Sequence, residues 1–293
     1  MAEIIDGKQC AAEIRAKVAR RVEKLKTSGV TPGLAAVLVG DDPASRTYVR
    51  SKEKACGEVG IFSEVIRKDS AFSQSELLEL VSDLNVREDI DGILVQSPLP
   101  DGLNEMEVTL QIDPVKDVDG FHPFNIGAAT IGLPAPIPCT PAGIIELLKF
   151  AKIDTDGKEV VVVGRSNIVG RPISGLLSQK SPTGNATVTL CHSHTRDIQA
   201  VCRRADILIA AIGKPEFITA DFLKPGAVVI DVGVNRVDDP SRKRGYRLTG
   251  DVDFESAVPV ASYITPVPGG VGPMTIAMLL ANTVSIAERR AAR

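Results

Sequence analysis

The 293-residue chain contains no tryptophan, and its aromatic side chains are eight Phe and three Tyr. So sparse a set offers no base-stacking platform for a nucleic acid. Charge of one sign is also scarce: 34 Lys and Arg face 37 Asp and Glu, a formal net charge of −3. That balance lacks the electrostatic footprint of a general nucleic-acid binder. The five cysteines (Cys10, Cys56, Cys139, Cys191 and Cys202) are scattered, odd in number and never in a CxxC pair, which reads as reduced intracellular thiols. No apolar run approaches the roughly 20 residues that cross a bilayer. The charged N-terminal stretch lacks the basic-then-apolar order of a signal peptide. The expectations are no nucleic-acid partner, no membrane and a cytoplasmic location.

What is present is a globular composition, 44% hydrophobic and 24% charged, at a length that suggests about two domains and a core needing no disulfide or structural metal. Residues 8–26 read as an amphipathic helix with Ile14, Val18, Val22 and Leu25 on one face. The apolar run 34–40 is a buried-strand signal. Asp42-Pro43 opens a helix that stops near Gly57 or Gly60, residues 62–68 alternate as a strand, and Ser73 with Glu76 forms a capping box before the next helix. Residues 92–96 are the next strand. This β–α alternation predicts a parallel sheet covered by helices. A Pro- and Gly-rich stretch, 113–141, breaks the rhythm and reads as a long functional loop, after which Thr140-Pro141 is expected to cap a helix. A second series follows, with strands at 160–164, 187–191, 206–213 and 227–234 and the spacing of a dinucleotide-type half-fold. A last helix runs from about 273 to 290.

Five constellations carry chemistry. Gly164-Arg-Ser-Asn-Ile-Val-Gly170-Arg-Pro lies between an apolar strand and a helix, where glycines let backbone approach a pyrophosphate. It is neither the common GxGxxG nor a P-loop. At the end of the following strand an NAD site places an acid for the ribose hydroxyl. Here Cys191-His-Ser193-His194-Thr-Arg196 has no acid before Asp197. With Arg165 beside the first glycine, the pattern favours NADP over NAD. The Cys-His-x-His run is too cramped for a metal and lacks a fourth ligand, so no metal is expected. The second constellation is Tyr48-Val-Arg-Ser-Lys52, whose ends share a helical face. A desolvated lysine there suits acid–base work. Tyr-x-x-x-Lys also occurs in short-chain dehydrogenases, but there it follows the glycine-rich loop, whereas here it precedes it. The third, Gln96-Ser-Pro-Leu-Pro100, follows a strand end where open α/β sheets hold ligands. The fourth is Asp117-Val-Asp119-Gly-Phe-His-Pro123. The fifth, Thr265-Pro-Val-Pro268-Gly269-Gly270-Val-Gly-Pro-Met-Thr275, has the glycine density of backbone lying close to a ligand.

Together with PCTPAGIIELL, IDVGVN and GDVDF, and in this order, these motifs resemble the bifunctional methylenetetrahydrofolate dehydrogenase/methenyltetrahydrofolate cyclohydrolase family over nearly the whole chain. The resemblance implies two α/β domains flanking a cleft, the second a Rossmann-like NADP-binding domain with a parallel sheet. Residues 1–140 would form the folate-binding catalytic domain, completed by the C-terminal helix 271–293, and residues 141–270 the NADP domain. It implies NADP as cofactor, tetrahydrofolate derivatives as substrates and a homodimer. It also implies that Lys52 is the catalytic lysine, Tyr48 packs on the folate, Gln96 helps to set the protonation of the lysine and Asp119 holds the pterin. Pro268, Gly269 and Gly270 would line the folate site. Gly164, Arg165, Ser166, Ser193 and Val234 match cofactor-contact positions. Ala128-Ala129 and His194 depart from the family's usual residues, and neither touches the Tyr-Lys-Gln-Asp set.

Overall fold

The computed structural model describes residues 1–242 and 245–292. In chain order the elements are β1 (Glu3–Ile4), α1 (Gly7–Thr27), β2 (Gly33–Val39), α2 (Pro43–Val59), β3 (Phe62–Lys68), α3 (Gln74–Val86), β4 (Gly92–Val95), α4 (Glu105–Gln111), α5 (Pro123–Thr130) and α6 (Cys139–Phe150). They continue with β5 (Glu159–Val163), α7 (Gly170–Ser178), β6 (Thr187–Cys191), α8 (Ile198–Cys202), β7 (Ile207–Ala210), β8 (Val228–Asp231), β9 (Asn235–Asp238), β10 (Tyr246–Thr249), α9 (Phe254–Ala257), β11 (Tyr263–Ile264) and α10 (Val271–Ala291). The chain folds into two compact units. One gathers residues 12–129, 133–139 and 276 onward, and the other residues 1–11, 130–132 and 140–275.

The first unit is built on a parallel three-stranded sheet in the order β3-β2-β4. Every residue of β2 is buried, as a continuous apolar run requires when both faces of a sheet are covered. Helix α2 starts where the Asp42 carboxylate accepts the Ser45 N–H at 2.7 Å and Pro43 opens the first turn. It ends at Gly60, whose φ of 82° suits a residue without Cβ. The Ser73–Glu76 capping box is present at the start of α3.

The end of α10 is bolted to this unit through charge. Asp91, 2% exposed, accepts the Gly33 N–H at 2.9 Å and two hydrogen bonds from the Arg290 guanidinium at 2.6 and 3.2 Å. Removing the guanidinium strands a buried carboxylate. Because the Arg290 side chain is 41% exposed, water replaces part of what is lost. Arg290→Ala is expected to lower the unfolding free energy by about 1.5–3 kcal/mol, read as a shift of the urea midpoint at unchanged slope.

The second unit holds a parallel six-stranded sheet, β1-β11-β8-β7-β5-β6. Its central strands are fully buried, and Val161, Val163, Leu208, Ala210, Val229 and Ile264 share one core. An antiparallel hairpin, β9–β10, stands apart from this sheet.

Some local expectations are corrected. The stretch 113–141 is not structureless, because α5 forms inside it. Thr140-Pro141 does not precede a helix: α6 already begins at Cys139, and the Thr140 hydroxyl meets that of Thr275 at 3.1 Å. Helix α10 begins at Val271, two residues earlier than the pattern suggested. It is also long and apolar enough, by length and composition, to cross a membrane, but more than half of that stretch is buried inside the protein. The five cysteines are all buried, and no disulfide joins them.

Candidate active site

In the three-stranded unit, the buried stripe of α2 runs Ser45, Val49, Lys52, Cys56 and Val59. Lys52 therefore occupies a position that helical periodicity gives to an apolar side chain, and it is only 5% exposed. Its Nζ donates to Gln96 Oε1 at 3.0 Å and sits 4.8 Å from the centroid of the Tyr48 ring, one turn earlier. Gln96 leaves β4 with its backbone N–H bonded to the Val37 carbonyl at 2.9 Å. Its Nε2 donates to the Ser97 carbonyl at 2.6 Å, which fixes the amide so that the oxygen faces the amine.

The fourth member arrives on the loop after α4. Asp117 is 2% exposed and accepts the N–H groups of Gly120 (3.0 Å) and His122 (2.8 Å) and the Asn125 amide (2.9 Å). With Asp117 spent on the loop, Asp119 is the acid that Lys52 faces. Burial pushes the Asp119 carboxyl up to about 6, with Lys52 pulling the other way. Burial holds the Lys52 amine below its ordinary value, and the Asp119 charge partly offsets this. The two shifts converge, which is the pattern of a site that moves protons. Asn282 of α10 braces the loop by donating to the carbonyls of Val118 and Ile137, both at 2.9 Å. The Cys139 thiol, beside the pair, is pushed well up by burial and stays neutral.

In the six-stranded unit, a cavity of about 420 Å³ lies at the carboxyl ends of β5, β6 and β7. Gly164, Arg165, Ser166 and Ser193 line it, as do His192, Thr195, Lys214 and Phe217. A Cβ on Gly164 would overlap the Ala211 carbonyl, and one on Gly170 would overlap the Gly164 carbonyl, so this turn admits only glycine. Ser166 Oγ accepts the Val169 and Gly170 N–H groups at 3.2 and 3.4 Å. His192 Nδ1 accepts the His194 N–H at 3.2 Å, which occupies one nitrogen of the pair. Among the described residues, no group of three or more His, Cys, Asp or Glu side chains is placed to hold a metal ion. Val234 follows β8 and is 61% exposed. Gly269, with φ 114°, and Gly270 are buried beside exposed Pro268, and a Cβ on Gly7 would overlap the Gly270 carbonyl.

The structure thus brings Tyr48, Lys52, Gln96 and Asp119 together in one unit. It places Gly164, Arg165, Ser166 and Ser193 around a cavity in the other, which also carries Val234 and Pro268–Gly270. The sequence motifs contain Asp117 and Thr195 without giving either a role, and they do not single out the supports Asn125 and Asn282 or the cavity residues Lys214 and Phe217.

Residues 5–119 match the family described as tetrahydrofolate dehydrogenase/cyclohydrolase, catalytic domain, and residues 138–291 its NAD(P)-binding domain. The bifunctional protein FolD of Bacillus licheniformis is 58% identical over 288 residues, 98% of each chain. The crystal structure of the bifunctional enzyme FolD from Campylobacter jejuni is 46% identical with a TM-score of 0.93, covering 99% of this chain and all of that one. The Trypanosoma brucei dehydrogenase-cyclohydrolase, complexed with NADP cofactor and an inhibitor, is 39% identical with a TM-score of 0.93, covering 100% of this chain and 99% of that one. A buried lysine with its glutamine and aspartate in one unit and a glycine-cradled cavity in the other, matched over both halves of the chain, mean that this protein belongs to the tetrahydrofolate dehydrogenase/cyclohydrolase family.

Proposed function

We propose that this chain is a bifunctional enzyme of one-carbon metabolism. It oxidises 5,10-methylenetetrahydrofolate to 5,10-methenyltetrahydrofolate with NADP+, and hydrolyses that cation to 10-formyltetrahydrofolate. The observation that carries the reading is Lys52: a buried amine, 3.0 Å from the Gln96 oxygen, with its affinity for protons lowered. Incubating the protein with methylenetetrahydrofolate and NADP+, while following methenyl and NADPH absorbance, tests both activities. Failure to form NADPH would refute the first and accumulation of the methenyl cation the second.

The cavity suits NADP. Gly164 and Ser166 would receive the pyrophosphate side, Arg165 and Ser193 offer a cation and a hydroxyl for a 2′-phosphate, and Val234 is the proposed contact at the end of β8. Asp197, the first acid after β6, caps α8 by accepting the Ala200 N–H at 3.3 Å, so it does not stand in as a ribose-binding acid. When bound, NADP+ supplies the hydride acceptor. Losing one charged contact to the 2′-phosphate costs about 1.5–3 kcal/mol. Arg165→Ala should therefore reduce kcat/KM for NADP+ far more than for NAD+, and equal losses would show that Arg165 does not read the phosphate.

In the oxidation no proton passes through the protein. Tyr48 packs on the folate, Asp119 accepts hydrogen bonds from pterin N–H groups and Lys52 is an electrostatic neighbour, so the chain's contribution is alignment. Pro268, Gly269 and Gly270 are the six-stranded unit's proposed folate contacts. In the hydrolysis Lys52 accepts a proton as water adds to the methenyl carbon. It returns that proton to the folate nitrogen N5 as the C–N5 bond breaks, and the adduct's hydroxyl proton leaves to water as its oxygen becomes the formyl carbonyl on N10. Gln96 accepts one amine hydrogen throughout and keeps the nitrogen aimed.

A cytoplasmic location and a homodimer are the finer parts of this reading. Buried cysteines without disulfides suit a reducing compartment. For the dimer, β3 is an open sheet edge with Phe62 45% exposed. Sedimentation equilibrium at a monomer mass would refute the dimer.

A further inference from the structure

Asp251 has no part in the chemistry above, yet its side chain is 0% exposed. One oxygen, Oδ2, accepts two consecutive backbone N–H groups, Ile212 at 2.7 Å and Gly213 at 2.9 Å. The other, Oδ1, accepts the Asn235 amide at 2.9 Å. Ile212 and Gly213 form the turn by which the chain leaves β7, with Gly213 at a φ of 67°. This turn delivers Ala211, Ile212, Lys214 and Phe217 to the wall of the cavity. Asn235 immediately follows Val234, the proposed contact at the end of β8. One carboxylate therefore ties the turn after β7 to the start of β9, next to Val234, where the cofactor is to lie.

Asp251 is itself anchored. Asp231, at the end of β8, accepts the Asp251 N–H at 2.9 Å and the Val252 N–H at 3.0 Å. The packing is close enough that a Cβ on Gly233 would strike the Asp251 carboxylate, and one on Gly250 the Asp231 carboxylate. That accounts physically for Gly233 in Ile-Asp-Val-Gly and for Gly250 in Gly-Asp-Val-Asp. A buried acceptor with three donors in fixed directions holds backbone more tightly than packing alone.

We propose that Asp251 is a positioning residue for cofactor binding: without touching the cofactor, it sets the turn after β7 and the Val234–Asn235 segment that follows β8, against which NADP+ lies. The proposal rests on the reading that this cavity takes NADP+, and the hydrolase reaction, which uses no cofactor, gives an internal control. Asp251→Ala, and Asp251→Ser as a smaller perturbation leaving a hydroxyl and room for water, should raise the NADPH dissociation constant roughly tenfold or more. NADPH fluorescence reads this, and KM for NADP+ should rise in parallel. Hydrolysis of added methenyltetrahydrofolate should stay within about twofold of wild type, the pairing expected when only cofactor binding is lost. Asp251→Asn, which still offers an oxygen to Ile212 and Gly213 while the Asn235 amide turns to accept, should restore affinity to near wild type. Unchanged NADPH affinity in whichever of the Ala and Ser variants folds overturns the proposal. So does a parallel fall of both activities, because that is a merely structural role. Wild-type protein that binds no NADPH would overturn the cavity assignment instead.

Discussion

Lys52→Met should hydrolyse methenyltetrahydrofolate at the background rate while still forming NADPH from methylenetetrahydrofolate, so that the methenyl cation accumulates. The two reactions ask different things of this side chain. Methionine keeps its length and helix propensity and suits the buried stripe of α2 between Val49 and Cys56. What disappears is the proton carrier, and general acid–base groups supply about 10²–10⁴-fold. Lys52→Arg should also lose the hydrolase, since a guanidinium cannot be deprotonated in a protein. Gln96→Leu should lose it in part, because the amine loses its acceptor at 3.0 Å but not its burial. Stopped-flow decay of the methenyl absorbance separates these variants, and hydrolysis by Lys52→Met near the wild-type rate would sink the assignment.

Asp119→Ala should abolish both activities or raise the folate KM steeply, with NADPH affinity nearly unchanged. The effect has a pH signature. The carboxyl titrates at about 6 rather than its ordinary 3.8, so acceptance of pterin N–H groups should fail as pH drops through about 6 and kcat/KM for the folate should fall there. The same shift acts on stability with the opposite consequence. A carboxyl whose folded-state pKa is raised penalises the fold once it is ionised, and the penalty grows between the unfolded value and about 6 and is constant above. Asp119→Asn should therefore raise Tm at pH 8, and the gain should vanish as pH falls below about 4. A mutant that binds folate normally would show that the pterin is held elsewhere. A Tm unchanged at pH 8 would show that the carboxylate is not buried against its own charge.

Much of this was legible because the informative segments are extreme. Continuous apolar runs such as β5 and β7 admit few readings between turn residues, and the 3.6-residue period places Tyr48 over Lys52. Other parts leave no such trace. Strands β1 and β11 are two residues each, too short for a period, and are defined only by the neighbours they pair with. The hairpin strands β9 and β10 carry Asn-Arg-Val-Asp and Tyr-Arg-Leu-Thr, polar enough to read as loop. The site divides in the same way. Spacing puts a lysine next to a tyrosine, but the burial that lowers its proton affinity comes from tertiary packing. Of Asp117 and Asp119, two residues apart on one loop, only the fold decides which accepts backbone N–H groups and which faces the amine. Asp251 lay inside a recognised motif without a role, because its three partners come from two other strand ends.

The unit that holds Lys52 is assembled from both ends of the chain, with residues 276 onward closing a body begun at residue 12. During synthesis, β2, β3, β4 and the Asp117–Asp119 loop emerge long before α10. Until Asn282 arrives, the carbonyls of Val118 and Ile137 lack its amide, and until Arg290 arrives, Asp91 holds an unneutralised charge. The apolar side chains Leu280, Val284 and Ala287, fully buried in the finished protein, are likewise missing from the nascent core. The N-terminal portion must therefore wait on the ribosome as an incomplete body while the six-stranded sheet is being made. A nonsense codon even a few helical turns from the end would forfeit the lysine site rather than trim a tail.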